Sequence, residues 1–376
     1  MRVLIVSGIW PPDVGGPASH APELAEHLRE LGYRVEVVVT AEATPAPEAY
    51  PVRWVSRRLP RGVRHLRSAW AIARAARAAD VVYATGMLGR TAIATRLARR
   101  PTVVKLTSDP TFERSLRYRL HGSDLDAFQS ARGVRIGVLR RARDLMLARA
   151  AHVVVPSASL RGLAIGWGVA PERITLVPNP VAAPADLPDR ELLRARAGFS
   201  GPTLVFAGRL TPQKSLDVAL DALSRADTVS LVLAGDGPEE ERLRAKVDEL
   251  RLGERVRFLG ARPRAEVFEL LHAADAALLS SSWENFPHMV VEALAVGTPV
   301  LATAVGGVTE IVRDGENGLL VPVGDSAALA AAIARYLGDA ELRGRLAHAA
   351  RQSVASYAPA EIYARLIEVL ERAARR

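Results

Sequence analysis

The stretch TLVFAGRLTPQKSLDVALDALSRADTVSLVLAG, residues 203 to 235, reads as a strand, a loop, a helix and a second strand. TLVFAG (203–208) and VSLVLAG (229–235) are short, continuously apolar runs that end in glycine, and 214–225 between them carries apolar residues at helical spacing. Strands apolar on both faces and joined by a helical crossover belong to a parallel sheet with helices on either side.

The same alternation extends in both directions. Towards the C-terminus it predicts helices at 238–251, 263–272 and 287–296 and strands at 256–260, 276–280, 299–303 and 318–323. Towards the N-terminus it predicts strands at 2–7, 34–40, 52–55, 80–84, 102–106, 151–155 and 174–178, with helices at 21–32, 65–79, 89–99 and 134–150. The segment 108–133 shows no clear period. PNPVAAPADLPD (178–189) is dense in proline and reads as an interdomain linker. At 376 residues the chain exceeds one core, so two α/β, doubly wound domains are expected, residues 1–184 and 185–356, facing each other across a cleft. In the tail 357–376, Tyr357, Ile362, Leu366 and Leu370 fall near one helix face, which should dock on protein.

Composition excludes several classes. There is no cysteine, hence no disulfide, thiolate zinc site or Cys nucleophile, and the eight histidines show no ligand-like cluster, so neither metal nor cofactor is expected. No apolar run reaches the roughly 18 residues of a membrane span, and MRVLIVSGIW enters a strand without a signal-peptide layout; a cytoplasmic protein is expected. Residues 1–185 hold 27 Lys and Arg against 14 Asp and Glu, whereas 186–376 hold 23 against 27. In the basic half, Arg57, Arg58, Arg61, Arg64 and Arg67 form one cluster and Arg140, Arg141 and Arg143 another. They suit an anionic membrane surface or an anionic acceptor, or else are solvated helix faces. Aromatics amount to 5% and no nucleic-acid module appears, so nucleic acid is not an expected partner.

Glu284 and Glu292, in WENFPHMVVEALAVGTPVLATAVGG, stand around a helix start after an apolar strand. A carboxylate accepts from two vicinal hydroxyls at once, so the pair suits a sugar and a ribose; the plainer reading is two surface glutamates near a helix start. Gly208, Arg209 and Lys214 follow a strand and open a helix, an arrangement suited to seat a diphosphate; the plainer reading is a solvated Lys214 and a salt-bridged Arg209. Gly15 and Gly16 form a loop after the first strand, and Gly306, Gly307 and Glu310 form another. Asp236 and Gly237 lack the spacing of a dinucleotide fingerprint. Asp124 and Asp126 have no hydrophobic strand before them and read as a helix cap rather than a metal-binding pair.

Together, PPDVGG, VVPSASLRGLAIGWGV, ITLVPNPV, FAGRLTPQKSLDVAL, LVLAGDGPEEERL and the run from Trp283 to Asp325 resemble the retaining glycosyltransferases of family 4, which have the GT-B fold. The resemblance implies a nucleotide sugar donor held mainly by the C-terminal domain, an acceptor held mainly by the N-terminal domain, and a C-terminal helix crossing back to the latter. It implies that Arg209 and Lys214 hold the donor diphosphate, that Glu292 takes the ribose, and that Glu284 touches the transferred sugar beside Asn285, Phe286 and Pro287. The Gly15 and Gly16 loop would close over the phosphates. It further implies a metal-independent, front-face reaction moving a hexose-type sugar to a glycan, a lipid-linked acceptor or a small molecule. Asn285, Pro287 and His288 replace the small residues commonest in such loops, which leaves the sugar open. Asp109 reads either as a group that orients the acceptor or as a cap before Pro110. An epimerase or phosphorylase on a similar scaffold, or a non-catalytic binder, are the competing readings.

Overall fold

The computed structural model describes all residues other than Val14, Gly15, Arg119, Ser123, Asp124, Asp227 and Arg376, and leaves aside the side chains of residues 16–19, 117 and 126. Gly15 and Asp124 therefore lie outside the described residues, as do the surroundings of Gly16 and the carboxylate of Asp126. The chain forms two compact units. One comprises Met1–Gly122, Ala127–Pro180 and Ala360–Arg376, the other Val181–Pro359.

The first unit is built on seven strands: β1 (Arg2–Ser7), β2 (Arg34–Ala41), β3 (Val52–Ser56), β4 (Val81–Ala84), β5 (Thr102–Lys105), β6 (His152–Val155) and β7 (Ile174–Leu176). They pair in parallel in the order β3-β2-β1-β4-β5-β6-β7. The second unit repeats the pattern with β8 (Thr203–Ala207), β9 (Ser230–Ala234), β10 (Val256–Gly260), β11 (Ala276–Leu279), β12 (Val300–Thr303) and β13 (Gly318–Val321) in the order β10-β9-β8-β11-β12-β13. Both sheets are doubly wound and Rossmann-like. In each, the first strand sits inside the sheet and the chain builds outward on one side before returning to the other. That reversal leaves a crevice at the carboxyl edge, where open parallel sheets bind ligands. The continuous apolar runs are explained by burial: β4, β5 and β6 are buried at every position, as are β11 and β12.

The segment without a clear period holds two short helices, Pro110–Arg117 and Leu125–Ser130, each too short to display one. The tail forms a helix, Pro359–Ala374, that buries Ile362, Tyr363, Leu366 and Leu370 within the first unit. The Tyr363 hydroxyl donates to Glu23 at 3.2 Å, the Tyr33 hydroxyl to Glu371 at 2.7 Å, and Arg365 to the Leu176 carbonyl at 2.7 Å. Tyr357, expected on this face, instead ends a 3-10 turn, Ala355–Tyr357, and sets its ring edge-on to Phe286 at 5.7 Å. The helix begins only at Pro359, whose fixed φ suits the first turn.

The basic clusters are partly consumed by the fold. Arg143, grouped with Arg140 and Arg141 as a surface patch, is 3% exposed. Arg140 donates to the carbonyls of Phe128, Gln129 and Ala131, closing the helix Leu125–Ser130. Arg57 pairs with Asp13 at 2.6 Å. Among the described residues, no helix is long and apolar enough to cross a membrane.

Candidate functional site

The carboxyl ends of β8 and β11, neighbours in the second sheet, bring two of the expected residues into contact. After β8 the chain runs through Gly208 and Arg209 into a 3-10 turn, Pro212–Lys214, and then the helix Leu216–Leu223. After β11 it passes Ser280, Ser281 and Ser282 to reach Glu284. The Lys214 ammonium meets the Glu284 carboxylate at 2.5 Å, with side chains 18% and 6% exposed. Ser281 donates to the same oxygen at 2.7 Å. The two loops are stitched together: Ser280 donates to the Lys214 carbonyl at 2.9 Å, the Ser282 amide to the Gln213 carbonyl at 2.9 Å, and the Gln213 amide group to the Trp283 carbonyl at 2.8 Å. Cation and carboxylate are thus held on fixed backbone rather than on swinging loops. Arg209 is exposed at the same strand end and forms no ion pair among the described residues.

Glu292 is the fifth residue of the helix His288–Ala295. It lies a little over one turn in, and Pro287 caps the helix from outside instead of occupying its first turn. Met289, Val290, Val291, Ala293 and Leu294 are buried, so His288 and Glu292, four apart, share the remaining face. Arg264, which opens the helix Arg264–Ala273, pairs with Glu292 at 3.2 Å. The Phe286 ring is buried between His288 and Tyr357, which leaves backbone as what this loop can offer a ligand. Asn285 and Pro287 are likewise buried.

Two glycines permit this arrangement. Gly306, after β12, has φ +45°, and a Cβ there would stand 2.1 Å from the Glu284 carbonyl oxygen. The following amide, of Gly307, donates to that same carbonyl at 3.0 Å. At Gly235 a Cβ would meet the Gly208 carbonyl at 1.8 Å, so β9 and β8 leave the sheet in backbone contact. The Asp236 carbonyl then accepts from the Leu210 amide at 2.7 Å, which braces the loop bearing Arg209. That is the part LAGDGPEEERL plays.

Asp109 belongs to the first unit and caps the helix Pro110–Arg117, accepting from the Thr111 amide at 2.8 Å. Its carboxylate is fully enclosed. Arg143 reaches both oxygens at 3.1 and 3.0 Å, and Gln129 donates to one of them at 3.2 Å. Trp167 donates to the other end of Gln129 at 3.2 Å, and the Arg143 guanidinium lies 3.9 Å over the Trp167 ring, which closes a circuit of four side chains. Of its two sequence readings, this geometry is that of the cap.

Ser281, Gln213 and Arg264 are the residues of this site that motif reading passed over. The serine triplet at the end of a buried strand was the available signal, since consecutive hydroxyls at a carboxyl edge imply loop stitching. Nothing in the spacing links Arg264 to Glu292. Among the described residues, no three His, Asp or Glu side chains come together as metal ligands would.

Comparison with known proteins places this geometry among relatives. Residues 189–353 match the model of glycosyl transferases group 1, and residues 15–180 that of a glycosyl transferase 4-like domain. The chain is 39% identical over 206 residues to D-inositol 3-phosphate glycosyltransferase of Acidothermus cellulolyticus, a match that spans 49% of this chain and 46% of that protein. It is 29% identical over 383 residues to glycogen synthase of Mycobacterium tuberculosis, across 95% of this chain and 91% of the other. Among solved structures, Anabaena HepE in complex with UDP-glucose superposes with a TM-score of 0.80 at 24% identity, covering 99% of this chain and all of HepE.

Proposed function

Since this chain belongs to the glycosyl transferases group 1 family and carries the two Rossmann-like halves of the GT-B fold, we propose that it is a retaining, metal-independent hexosyltransferase. It moves a sugar from a nucleotide diphosphate sugar to a hydroxyl of a glycan, glycolipid or small-molecule acceptor. The observation that carries this reading is the Lys214–Glu284 pair at the carboxyl ends of β8 and β11. Without a donor, each neutralises the other. With one, the diphosphate takes over the ammonium and the sugar hydroxyls take over the carboxylate, so both partners exchange one charge-matched contact for another.

In the reaction the C1–O bond to the diphosphate breaks, and charge collects on the leaving phosphate oxygens. Lys214 and Arg209 stabilise it, a preorganised contribution of about 3 to 4 kcal/mol per donor lost. These cations do the work a metal would otherwise do. Glu292 accepts from the ribose hydroxyls, and Arg264 fixes its orientation. The acceptor oxygen then bonds to C1 on the face the diphosphate leaves, and its proton passes to the departing phosphate oxygen. No protein base is required, in keeping with an enclosed Asp109.

HepE binds UDP-glucose, which makes that compound the first donor to try. At 100 times its dissociation constant it should stabilise the protein by about 2.7 kcal/mol, read as a raised melting temperature. Glucose transfer from it should require an acceptor, retain the anomeric configuration by NMR and survive EDTA. Sugar epimerised without acceptor, phosphate-dependent release, or binding without turnover on a broad acceptor panel would each favour a competing reading.

The acceptor side also suits an anionic membrane surface. On the helix Arg61–Ala76, Leu66 and Trp70 are 75% and 64% exposed beside Arg67 and Arg74, and Arg74 lies 5.5 Å over the Trp70 ring. The helix Leu88–Ala98, packed against it, exposes Ile93 and Leu97 beside Arg96. Apolar anchors interleaved with arginines are the composition of an interfacial helix. Co-sedimentation with phosphatidylglycerol vesicles is expected, falling at least tenfold in Leu66→Ser/Trp70→Ser; no sedimentation of the wild type would end this reading.

A further inference from the structure

The first unit holds a cavity of about 530 Å³ at the carboxyl ends of β4 and β5. Thr85 and Gly86 leave β4 along one wall, Leu106 and Thr107 leave β5 along another, and the first turn of the helix Leu88–Ala98 forms a third. Its charged lining is one-sided. His65, Arg90, Lys105 and Arg114 face a single carboxylate, Glu113, which already accepts from the Ser108 hydroxyl.

Among the described residues, none of Arg90, Lys105 and Arg114 forms an ion pair, and His65 is kept neutral by the same surroundings. Arg90 donates to the Ser68 hydroxyl at 2.7 Å, and Lys105, only 2% exposed, reaches the Val177 carbonyl at 3.5 Å. Burial pushes the Lys105 ammonium down to about 7. Burial, then Arg64 and Arg114, pull Arg90 below its usual value; His65 is lowered by burial and then by Arg90, Arg64, Arg114 and Arg61. Like charges gathered around a hollow that holds one carboxylate, itself bonded to Ser108, are costly to fold, and an incoming anion would relieve them together. Two guanidinium forks, a desolvated ammonium and a helix N-terminus are suited to a phosphate dianion rather than to a neutral polyol.

We propose that this cavity selects an acceptor bearing a phosphate monoester, gripped by Arg90, Arg114 and Lys105. The proposal rests on the glycosyltransferase reading above and names its acceptor class. The phosphate could belong to a soluble sugar phosphate or to a lipid headgroup; the chemistry is the same.

The test is calorimetric titration of protein already saturated with UDP, so that the cations of the second unit are engaged, using glucose 6-phosphate and glucose as matched probes. Glucose 6-phosphate should bind at least tenfold more tightly than glucose, and Arg114→Gln should abolish most of that preference. The Arg114 side chain is exposed and makes no hydrogen bond or ion pair to a described residue, so the fold should not depend on it; Arg90→Gln, with an unchanged melting temperature as control, should act alike. Competition by phosphatidic acid vesicles but not phosphatidylcholine vesicles would assign the phosphate to a lipid, and its absence, with glucose 6-phosphate still bound, to a soluble acceptor. Equal affinity for the two sugars, or a preference intact in Arg90→Gln/Arg114→Gln, would overturn the proposal while UDP binding stands. Failure of UDP itself to bind would instead count against the proposed function.

Discussion

Replacing Lys214 with Met should slow sugar transfer by about 10²- to 10³-fold, the loss expected when one preorganised donor to a developing oxyanion is removed. Methionine keeps much of the length of the lysine stem, so the effect isolates the charge. The same change should also destabilise the second unit by several kcal/mol, because Glu284 is 7% exposed and would be left with the Ser281 hydroxyl but no cation. The two consequences separate in a double-mutant cycle. In Lys214→Met/Glu284→Gln the buried charge is gone, so the melting temperature should recover, whereas turnover should stay low or fall further because the sugar loses its carboxylate as well. Turnover of Lys214→Met within threefold of wild type, with UDP-glucose affinity unchanged, would remove Lys214 from the diphosphate seat.

Why the pairing of Lys214 with Glu284 escaped the sequence, while the strands did not, is a matter of range. A central strand in a doubly wound sheet is buried on both faces, so LIV and VVV runs announce it locally, and among the described residues the strands fall where the alternation predicts them, the less buried edge strands β3 and β10 included. Lys214 and Glu284 are 70 residues apart. Their types and local settings assign each to a donor, but that they neutralise each other beforehand depends on β8 lying beside β11, a property of topology. The same limit misdirected the reading of Arg143. Counted with Arg140 and Arg141 it belongs to a basic run, yet its partner Asp109 is 34 residues upstream and its guanidinium is sealed under Trp167. Charge runs report composition along a helix, and only the 3.6-residue period decides which members face inward. Tyr357 shows the converse error, an apolar residue in phase with a helix that starts two residues later.

Asp109→Ala should destabilise the first unit by about 2 to 4 kcal/mol, because it leaves the Arg143 guanidinium, 4% exposed at its side chain, with only the half-exposed Asp144 at 2.9 Å as a counterion and uncaps the helix Pro110–Arg117. For a unit of this size that corresponds to a fall in melting temperature on the order of 10 °C, resolved by scanning calorimetry if the two units melt separately. Asp109→Ala/Arg143→Met should regain part of the loss, since the buried charge is gone and methionine still packs against Trp167. Asp109→Asn should fall between, keeping the cap but not the charge. Turnover supplies the discriminating readout. An enclosed structural carboxylate predicts that Asp109→Asn, assayed well below its melting temperature, keeps wild-type kcat within a few-fold and an unshifted pH profile. A catalytic carboxylate predicts the reverse, a loss of orders of magnitude in kcat with little change in stability. That second pattern would require the four-membered circuit to open during the reaction and present Asp109 to the acceptor.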